Sequence, residues 1–252
     1  MSNGNSKPKI CSFTQTYSDE REELFDFHDN DNVDLYFRNK LDDNFYVFHN
    51  CSENYINKIQ NKKYLNSIAK KQIMPLNNIT YTKSLLKTLS LIKTQGFKYI
   101  FFLQDDVFCM ADNQTIDNLL SFVENNDFNL LNIEINNVNN EKEIIFEQSN
   151  LKVYNTDSVD FTKKNMWAMD DGPFVANIDY LMSVIYDTNY FALNDIWTAE
   201  TYMNSKITQN PVQRLSTNTS FFIRVNIVGK NNLQARESHI ELLKKTFASL
   251  NI

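Results

Sequence analysis

Residues Tyr99 to Asp106 read Tyr-Ile-Phe-Phe-Leu-Gln-Asp-Asp, an unbroken apolar run that leads through Gln104 into two adjacent carboxylates. A short, fully apolar run is typical of a strand buried on both faces, as the strands of parallel sheets are. Asp105 and Asp106 then follow the carboxyl end of this strand, where open α/β sheets bind their ligands. Such a pair can hold a divalent cation. The alternative is that Asp105 caps the next element and Asp106 faces solvent.

The chain before this strand alternates strands and helices. Predicted strands cover residues 9–13, 44–49, 98–103 and, more weakly, part of 66–75. Predicted helices begin at Ser18, cover 53–63 behind the capping residue Ser52, and cover 79–95 up to the terminating Gly96. This order is that of a parallel sheet with right-handed crossovers.

The pattern becomes mixed near residue 126. The predicted elements are a helix at 115–125, a strand at 130–135, a hairpin at 144–146 and 151–154, helices at 179–187 and 196–207, a strand at 221–228 and a last helix at 235–250. We expect a disordered N-terminus at 1–8 and one domain at 9–252. Within that domain, residues 9–125 would bind the donor of a transferred chemical group, and residues 126–252 would bind its acceptor.

Composition excludes several classes of protein. The 252 residues carry a net charge of −6, which argues against nucleic acid as the main partner. Three widely spaced cysteines indicate neither a disulfide framework nor a zinc site. No stretch approaches the ~18 apolar residues of a membrane span, and no signal peptide is evident. We therefore expect a cytoplasmic protein, or one of the host cytoplasm if the Asn-rich composition reflects a viral source.

The turn after the first strand carries hydroxyls and an aromatic ring where phosphate-cradling motifs carry glycines. It reads Thr14-Gln15-Thr16-Tyr17, so it is neither a dinucleotide fingerprint nor a P-loop. It suits a base stacked on Tyr17, with the hydroxyls reaching base or ribose; the alternative is an ordinary strand-to-helix turn. Arg21 and Asn50, which follow the first and second strands, complete the predicted nucleotide-binding residues together with Asp105.

In their order, these segments resemble a GT-A glycosyltransferase, and most closely the family-2-like enzymes that use nucleotide sugars. The resemblance spans roughly residues 9–230 and rests on Cys11 to Tyr17, Phe101 to Asp106, Asp170-Asp171-Gly172-Pro173-Phe174 and the helix with Asp195 and Glu200. It implies an α/β fold with a GT-A-type Rossmann-like mixed sheet, mostly parallel, flanked by helices and joined by a smaller acceptor-side sheet. It also implies sugar transfer from a UDP- or GDP-linked donor to a glycan or other hydroxyl acceptor.

The resemblance further implies individual roles. The family usually carries Asp-x-Asp where this chain has Gln104-Asp105-Asp106. Asp106 would then bind Mn²⁺ or Mg²⁺, and Asp105 would contact ribose or the water of the metal. His239 would add a metal or diphosphate contact. The base that deprotonates the acceptor in an inverting transfer would be Asp171, with Asp170 and Glu200 as the next candidates.

Other functions share parts of this pattern. A metal-dependent nucleotidyltransferase would pair such a sheet with an aspartate pair, but would normally have a Gly-rich loop with Lys or Arg after the first strand. That loop is absent from this sequence. A non-catalytic nucleotide- or sugar-binding protein and a structural interaction protein are the remaining alternatives. Hydrolysis of a nucleotide sugar without an acceptor would argue against the non-catalytic binding protein. Failure of every nucleotide to raise the Tm would favour the structural interaction protein.

Overall fold

A nine-stranded sheet forms the centre of the part of the chain that is described. The computed structural model describes residues 7–16, 19, 21–28, 32–133, 143–159, 173–186, 196–210, 213–218, 221–224 and 241, with the backbone alone for 196–200 and 223–224. The first strands of the sheet are β1 (Lys9–Thr16), β2 (Asp43–His49), β3 (Gln72–Leu76) and β4 (Phe97–Gln104). They lie in the order β3-β2-β1-β4, and their pairings are parallel.

This strand order creates a switch point between β1 and β4. The chain runs outward from β1 to β2 and β3, and then returns to the other side of β1 as β4. Open α/β sheets bind their ligands outside the carboxyl ends of the strands at such a point. Thr16 ends β1 and Gln104 ends β4, so Asp105 and Asp106 follow the switch point directly.

The rest of the chain extends the sheet with mixed strands. They are β6 (Leu130–Asn132), β7 (Ile144–Gln148), β8 (Leu151–Asn155), β9 (Phe174–Asn177) and β10 (Arg214–Thr217), in the spatial order β9-β6-β10-β8-β7. Strand β9 is antiparallel to both β4 and β6, and β7 and β8 form the predicted hairpin. Immediately after the aspartates, β5 (Val107–Cys109) pairs with β11 (Phe222–Arg224) in a separate antiparallel sheet.

Helices cover both faces of the main sheet. They are α1 (Glu22–His28), α2 (Asn32–Lys40), α3 (Glu53–Gln60), α4 (Lys63–Ser67), α5 (Tyr81–Thr94), α6 (Asn113–Asn125), α7 (Ile178–Tyr186) and α8 (Ile196–Gln209). Side chains of α5, α7 and α8 share one core with Ile100 and Phe102 of β4. Those of α2 and α6 share the opposite core with Tyr99, Phe101 and Leu103. The central apolar run is therefore buried on both faces, as its sequence predicts.

Several predicted elements differ from the structure. Strand β1 continues to Thr16 because Thr14 and Gln15 pair with β2 on one side and β4 on the other. The helix predicted at 53–63 ends earlier, as α3 at Gln60, and α4, which begins at Lys63, is a separate helix that was not predicted. Helix α2 and strand β10 were also not predicted, because their local preference is weak and tertiary contacts override it. The start of a helix at Ser18 and most of the predicted last helix lie outside the described residues.

Two predicted helix boundaries are confirmed. Ser52 caps α3, because its Oγ accepts a hydrogen bond from the backbone N of Tyr55 at 3.2 Å. Gly96 follows α5 with a φ of 84°, which lies in the left-handed region. Its N–H donates to the carbonyl of Lys93 at 2.9 Å, and so closes the last turn.

Replacing Gly96 with alanine is expected to lower the free energy of unfolding by about 1–2 kcal/mol, the cost of a left-handed L-residue. An added Cβ would meet no atom within 4 Å, so the cost comes from the backbone alone. Urea unfolding measures it, with Lys87→Ala on the exposed side of α5 as the control, expected within about 0.5 kcal/mol of the parent. Equal stability of both variants would contradict the assignment.

Candidate functional site

A polar cleft of about 800 Å³ lies at the carboxyl ends of the parallel strands. Its walls follow the ends of β1, β2 and β3, and α5 begins at its edge. Its lining residues are Asp19, His49, Asn50, Cys51, Ser52, Asn77, Asn78, Ile79 and Thr80. Amide, hydroxyl and carboxylate groups dominate this set, so the cleft offers both donors and acceptors to a bound molecule.

Two of the asparagines that line the cleft have a left-handed conformation. Asn50 has a φ of 55° and Asn78 a φ of 57°, a region that asparagine tolerates better than most residues. The side-chain Oδ1 of Asn50 accepts from the backbone N of Asn78 at 2.9 Å, and its Nδ2 lies 3.1 Å from Nε2 of His49. The amide of Asn50 therefore ties the β2 turn to the β3 turn and sets the shape of the cleft.

The buried wall of the cleft is uncharged. Burial lowers the pKa of His49, which favours the neutral imidazole at neutral pH. Burial, with smaller contributions from the charges of Asp19 and Asp105, raises the pKa of the Cys51 thiol to about 12. Cys51 is thus a protonated thiol packed against the end of β1, with its Sγ 3.9 Å from the carbonyl of Thr16. It lacks the lowered pKa of a nucleophilic cysteine.

Asp105 lies beside this wall in a fully buried position, with 0% of its surface exposed. Its Oδ2 accepts a hydrogen bond from the hydroxyl of Thr16, and its Oδ1 lies 2.5 Å from Nη1 of Arg21. Its backbone N donates to the carbonyl of Gln15 at 3.2 Å. Both oxygens of the carboxylate are therefore engaged by side chains of the protein itself.

Arg21 also reaches the second aspartate. Its Nη1 lies 3.8 Å from Oδ2 of Asp106, which is 2% exposed, while Arg21 itself is 4% exposed. An arginine that is this buried is expected to be paired, because an isolated buried charge is costly. We name Thr16, Arg21, Asp105 and Asp106 the aspartate cluster.

His28 supports the aspartate cluster through the backbone of Asp105. Nε2 of His28 lies 3.1 Å from the carbonyl oxygen of Asp105, and the ring stacks on Phe108 and Tyr64 at 4.2 and 4.7 Å between centroids. Burial lowers the pKa of His28, which favours the neutral ring, although the charge of Asp34 opposes this effect. The aspartate turn is therefore held through its main chain as well as through its side chains.

The structure brings together some of the predicted site residues. Thr16, Arg21, Asp105 and Asp106 contact one another in the aspartate cluster, and of the predicted residues whose side chains are described Asn50 alone lines the cleft. Thr14 is not brought there, because it lies inside β1, where its Oγ1 accepts from Arg38 at 2.7 Å. Tyr17, Asp170, Asp171 and His239 lie outside the described residues, as does the side chain of Glu200 on α8.

The other cleft residues carried no recognisable ligand-binding motif in the sequence. Asp19, His49, Ser52, Asn77 and Thr80 were not predicted to bind a ligand. The signal that could have found them is position, because the carboxyl ends of neighbouring parallel strands share one edge of the sheet. Polar residues just beyond β1, β2 and β3 therefore belong to one site.

The aspartate cluster is the place where a metal ion was predicted to bind. Among the described residues, no group of three or more His, Cys, Asp or Glu side chains is placed to hold one. Asp105 could not turn toward a cation without leaving Thr16 and Arg21. With Thr16 and Arg21 on Asp105, the described residues do not fit a divalent metal bound by both aspartates.

The parallel strands in the order β3-β2-β1-β4, with the mixed strands beyond β4, form an α/β fold of the GT-A type, which confirms the predicted fold class. No protein-family model and no curated protein sequence matches the chain. The solved structure of S. aureus TarS 1–349 is similar at a TM-score of 0.51 and 12% identity, over 93% of this chain and 64% of that one. A longer S. aureus TarS structure is similar at the same TM-score and identity, and this chain covers 39% of its length.

Two further solved structures are similar at lower scores. One is a mannosyltransferase from Pyrobaculum calidifontis in complex with GDP-Man and Mn²⁺, with a TM-score of 0.48 and 11% identity over 83% of this chain and 54% of that one. The other is a UDP-glucose pyrophosphorylase complexed with UDP-glucose, with a TM-score of 0.48 and 10% identity over 94% of this chain and 99% of that one.

In the described part of the chain, no helix is long and apolar enough to cross a bilayer.

Proposed function

We propose that this chain is a glycosyltransferase that takes a sugar from a UDP- or GDP-linked donor and passes it to a hydroxyl group of a glycan or other acceptor. The observation that carries the proposal is the polar cleft at the carboxyl ends of β1, β2 and β3 in a GT-A-type fold. The similarity to TarS supports the fold. The reaction itself is our inference from the site.

The nucleoside part of the donor would occupy the cleft. Asn77 is exposed there, and its amide offers a donor and an acceptor to the edge of a base. Ile79 gives an apolar surface for the base or ribose, and the carboxylate of Asp19 suits ribose hydroxyls. Tyr17 remains a predicted stacking partner from the sequence. In this proposal Asn50 acts through the shape of the cleft, since its amide bonds to Asn78 and His49.

The chemical step needs a base for the acceptor hydroxyl. In an inverting transfer the base lies opposite the leaving nucleotide and removes the proton as the new glycosidic bond forms. We propose Asp171 for this role and Asp170 and Glu200 as the next candidates, on the sequence argument alone. The Mn²⁺ or Mg²⁺ predicted at Asp106 and His239 enters no step here, because the described residues do not fit a metal held by the aspartate pair.

A thermal-shift screen with UDP-, GDP-, TDP- and CMP-sugars tests the proposal. A ligand at 100 times its Kd stabilises a protein by about 2.7 kcal/mol, which for a chain of this size is a rise in Tm of about 5–10 °C. We expect one UDP- or GDP-sugar to produce such a rise, followed by release of the nucleoside diphosphate when acceptors are added. Release of pyrophosphate from a nucleoside triphosphate and a sugar phosphate would instead show a nucleotidyltransferase.

A pair of variants links the screen to the cleft. Asn77→Trp should fill the cleft and abolish the rise in Tm with the active nucleotide sugar. Asn57→Trp is the matched control, because Asn57 is exposed on α3 and does not line the cleft. An unchanged rise in Asn77→Trp would show that the nucleotide binds elsewhere.

A further inference from the structure

We infer that Arg21 holds Asp105 and Asp106 in place of a divalent cation, and that the parent protein binds its nucleotide without metal. The second part rests on the proposed function, and the first part does not. The fold class implies that the aspartate pair is a metal site. In this chain the groups that surround the pair do not fit that role.

The carboxylate of Asp105 is enclosed by groups of the protein. The hydroxyl of Thr16 donates to one oxygen, and the guanidinium of Arg21 contacts the other. The residue has no exposed surface. A cation approaching from the cleft would have to displace the arginine before it could bind to this carboxylate.

The guanidinium also supplies the positive charge at the second aspartate. Arginine stays protonated in proteins, and its planar group can serve two carboxylates together. A Mg²⁺ or Mn²⁺ bound to Oδ2 of Asp106 would lie within about 6 Å of Nη1 of Arg21. Two positive groups that close repel each other, so Arg21 and a metal ion compete for the same carboxylates.

Helix α1 holds the guanidinium of Arg21 in position. Arg21 directly precedes the helix, and its carbonyl accepts from the N–H of Leu24 at 3.1 Å. His28 ends the helix and contacts the carbonyl of Asp105 at 3.1 Å. The helix is thus bound to the aspartate turn at both ends. The arginine is preorganised at the aspartates and loses little freedom in holding them.

The cluster borders the cleft, so its charge reaches a bound nucleotide. Thr16 of the cluster lies against Cys51 of the cleft wall, with the Sγ of Cys51 3.9 Å from its carbonyl. Asp19 lines the cleft two residues before Arg21, and its Oδ1 accepts from the N of Ser52 at 2.9 Å. A nucleoside diphosphate in the cleft would therefore lie near the guanidinium without an intervening ion.

The test measures Mn²⁺ binding to the full chain by electron paramagnetic resonance, without nucleotide. We expect the parent protein to leave the signal of free Mn²⁺ unchanged. Arg21→Met should reduce that signal, because it removes the positive group that competes with Mn²⁺ for Asp105 and Asp106, and Arg21→Met/Asp105→Asn should lose the effect again. Lys58→Met is the matched control, since Lys58 pairs with Glu22 of α1 on the surface and its loss should create no Mn²⁺ site.

The outcomes decide the inference separately from the proposed function. Mn²⁺ binding by the parent protein that disappears in Asp106→Asn would overturn it, and so would a folded Arg21→Met that binds no Mn²⁺. If Arg21→Met does not fold, the parent and Asp106→Asn decide the question by themselves. In the thermal-shift assay, UDP or GDP should raise the Tm equally in EDTA and in Mn²⁺, and a rise that requires Mn²⁺ overturns the metal-free binding. No rise with any nucleotide contradicts the proposed function, while the Mn²⁺ measurement still stands.

Discussion

Replacing Arg38 with methionine is expected to lower the free energy of unfolding by about 3–5 kcal/mol, the cost of breaking a buried ion pair from one side. Arg38 of α2 is buried against β1, and its Nε lies 3.3 Å from Oδ2 of Asp34, which is fully buried. Its Nη1 also donates to the hydroxyls of Ser12 and Thr14 at 2.9 and 2.7 Å. Methionine fills much of the same space but leaves the carboxylate of Asp34 without its guanidinium.

The charge balance explains the size of this effect. Burial alone would lower the pKa of Arg38, but the neighbouring Asp34 overrides it and the pKa is raised. The guanidinium therefore remains charged and is stabilised chiefly by that carboxylate. Tyr64 also donates to Oδ2 of Asp34, yet a neutral hydroxyl cannot balance a full buried charge.

Equilibrium urea unfolding measures the loss. The control is Lys93→Met, which removes an ion pair with Asp179 whose side chains are 53% and 70% exposed, and which should cost about 0–1 kcal/mol. The double variant Arg38→Met/Asp34→Leu should regain much of the loss, since a buried pair can often be replaced by apolar residues. A single Arg38→Met variant no less stable than the Lys93→Met control would contradict the assignment.

Replacing Asp171 with asparagine is expected to slow sugar transfer by about 10²–10⁴-fold, the usual contribution of a general base. Asparagine keeps the size of the side chain but cannot accept the proton of the acceptor hydroxyl. The donor should still bind, because the cleft proposed for the nucleoside is lined, within the described part of the chain, by other residues. The measurement is therefore the rate of transfer together with the nucleotide-induced rise in Tm, and the second should be unchanged.

The other carboxylates serve as comparisons. Asp170→Asn and Glu200→Gln should each cost less than Asp171→Asn, and Asp179→Asn on the exposed side of α7 should cost nothing. If Asp170→Asn or Glu200→Gln shows the large loss instead, the base belongs to that residue. Full transfer activity in all three candidate variants would contradict an inverting mechanism based on these carboxylates.

The described part of the fold could be predicted well where local signals are strong. The apolar run from Tyr99 to Leu103 predicts a strand buried on both faces, and β4 is such a strand. Ser52 and Gly96 mark helix ends by chemistry that acts within a few residues. Strand β10 escaped prediction because it is polar and short and exists through its pairing with β6 and β8.

The candidate site was predicted less completely because its residues act on one another. Thr16, Arg21 and Asp105 were each expected to contact a nucleotide, and the structure joins them into one buried cluster. Thr16 and Arg21 lie 89 and 84 positions before Asp105. No local pattern shows that an arginine will reach a particular carboxylate across such a separation.

The amino-acid sequence by itself determined the alternation of strands and helices and the position of two carboxylates after the central strand, because apolar periodicity and capping act between near neighbours. The tertiary structure alone decided which side chains share the cleft and which ion pair closes over Asp105. Those choices depend on strand order, which brings the ends of β1, β2, β3 and β4 to one edge of the sheet, and on burial, which makes each enclosed charge take the partner within its reach.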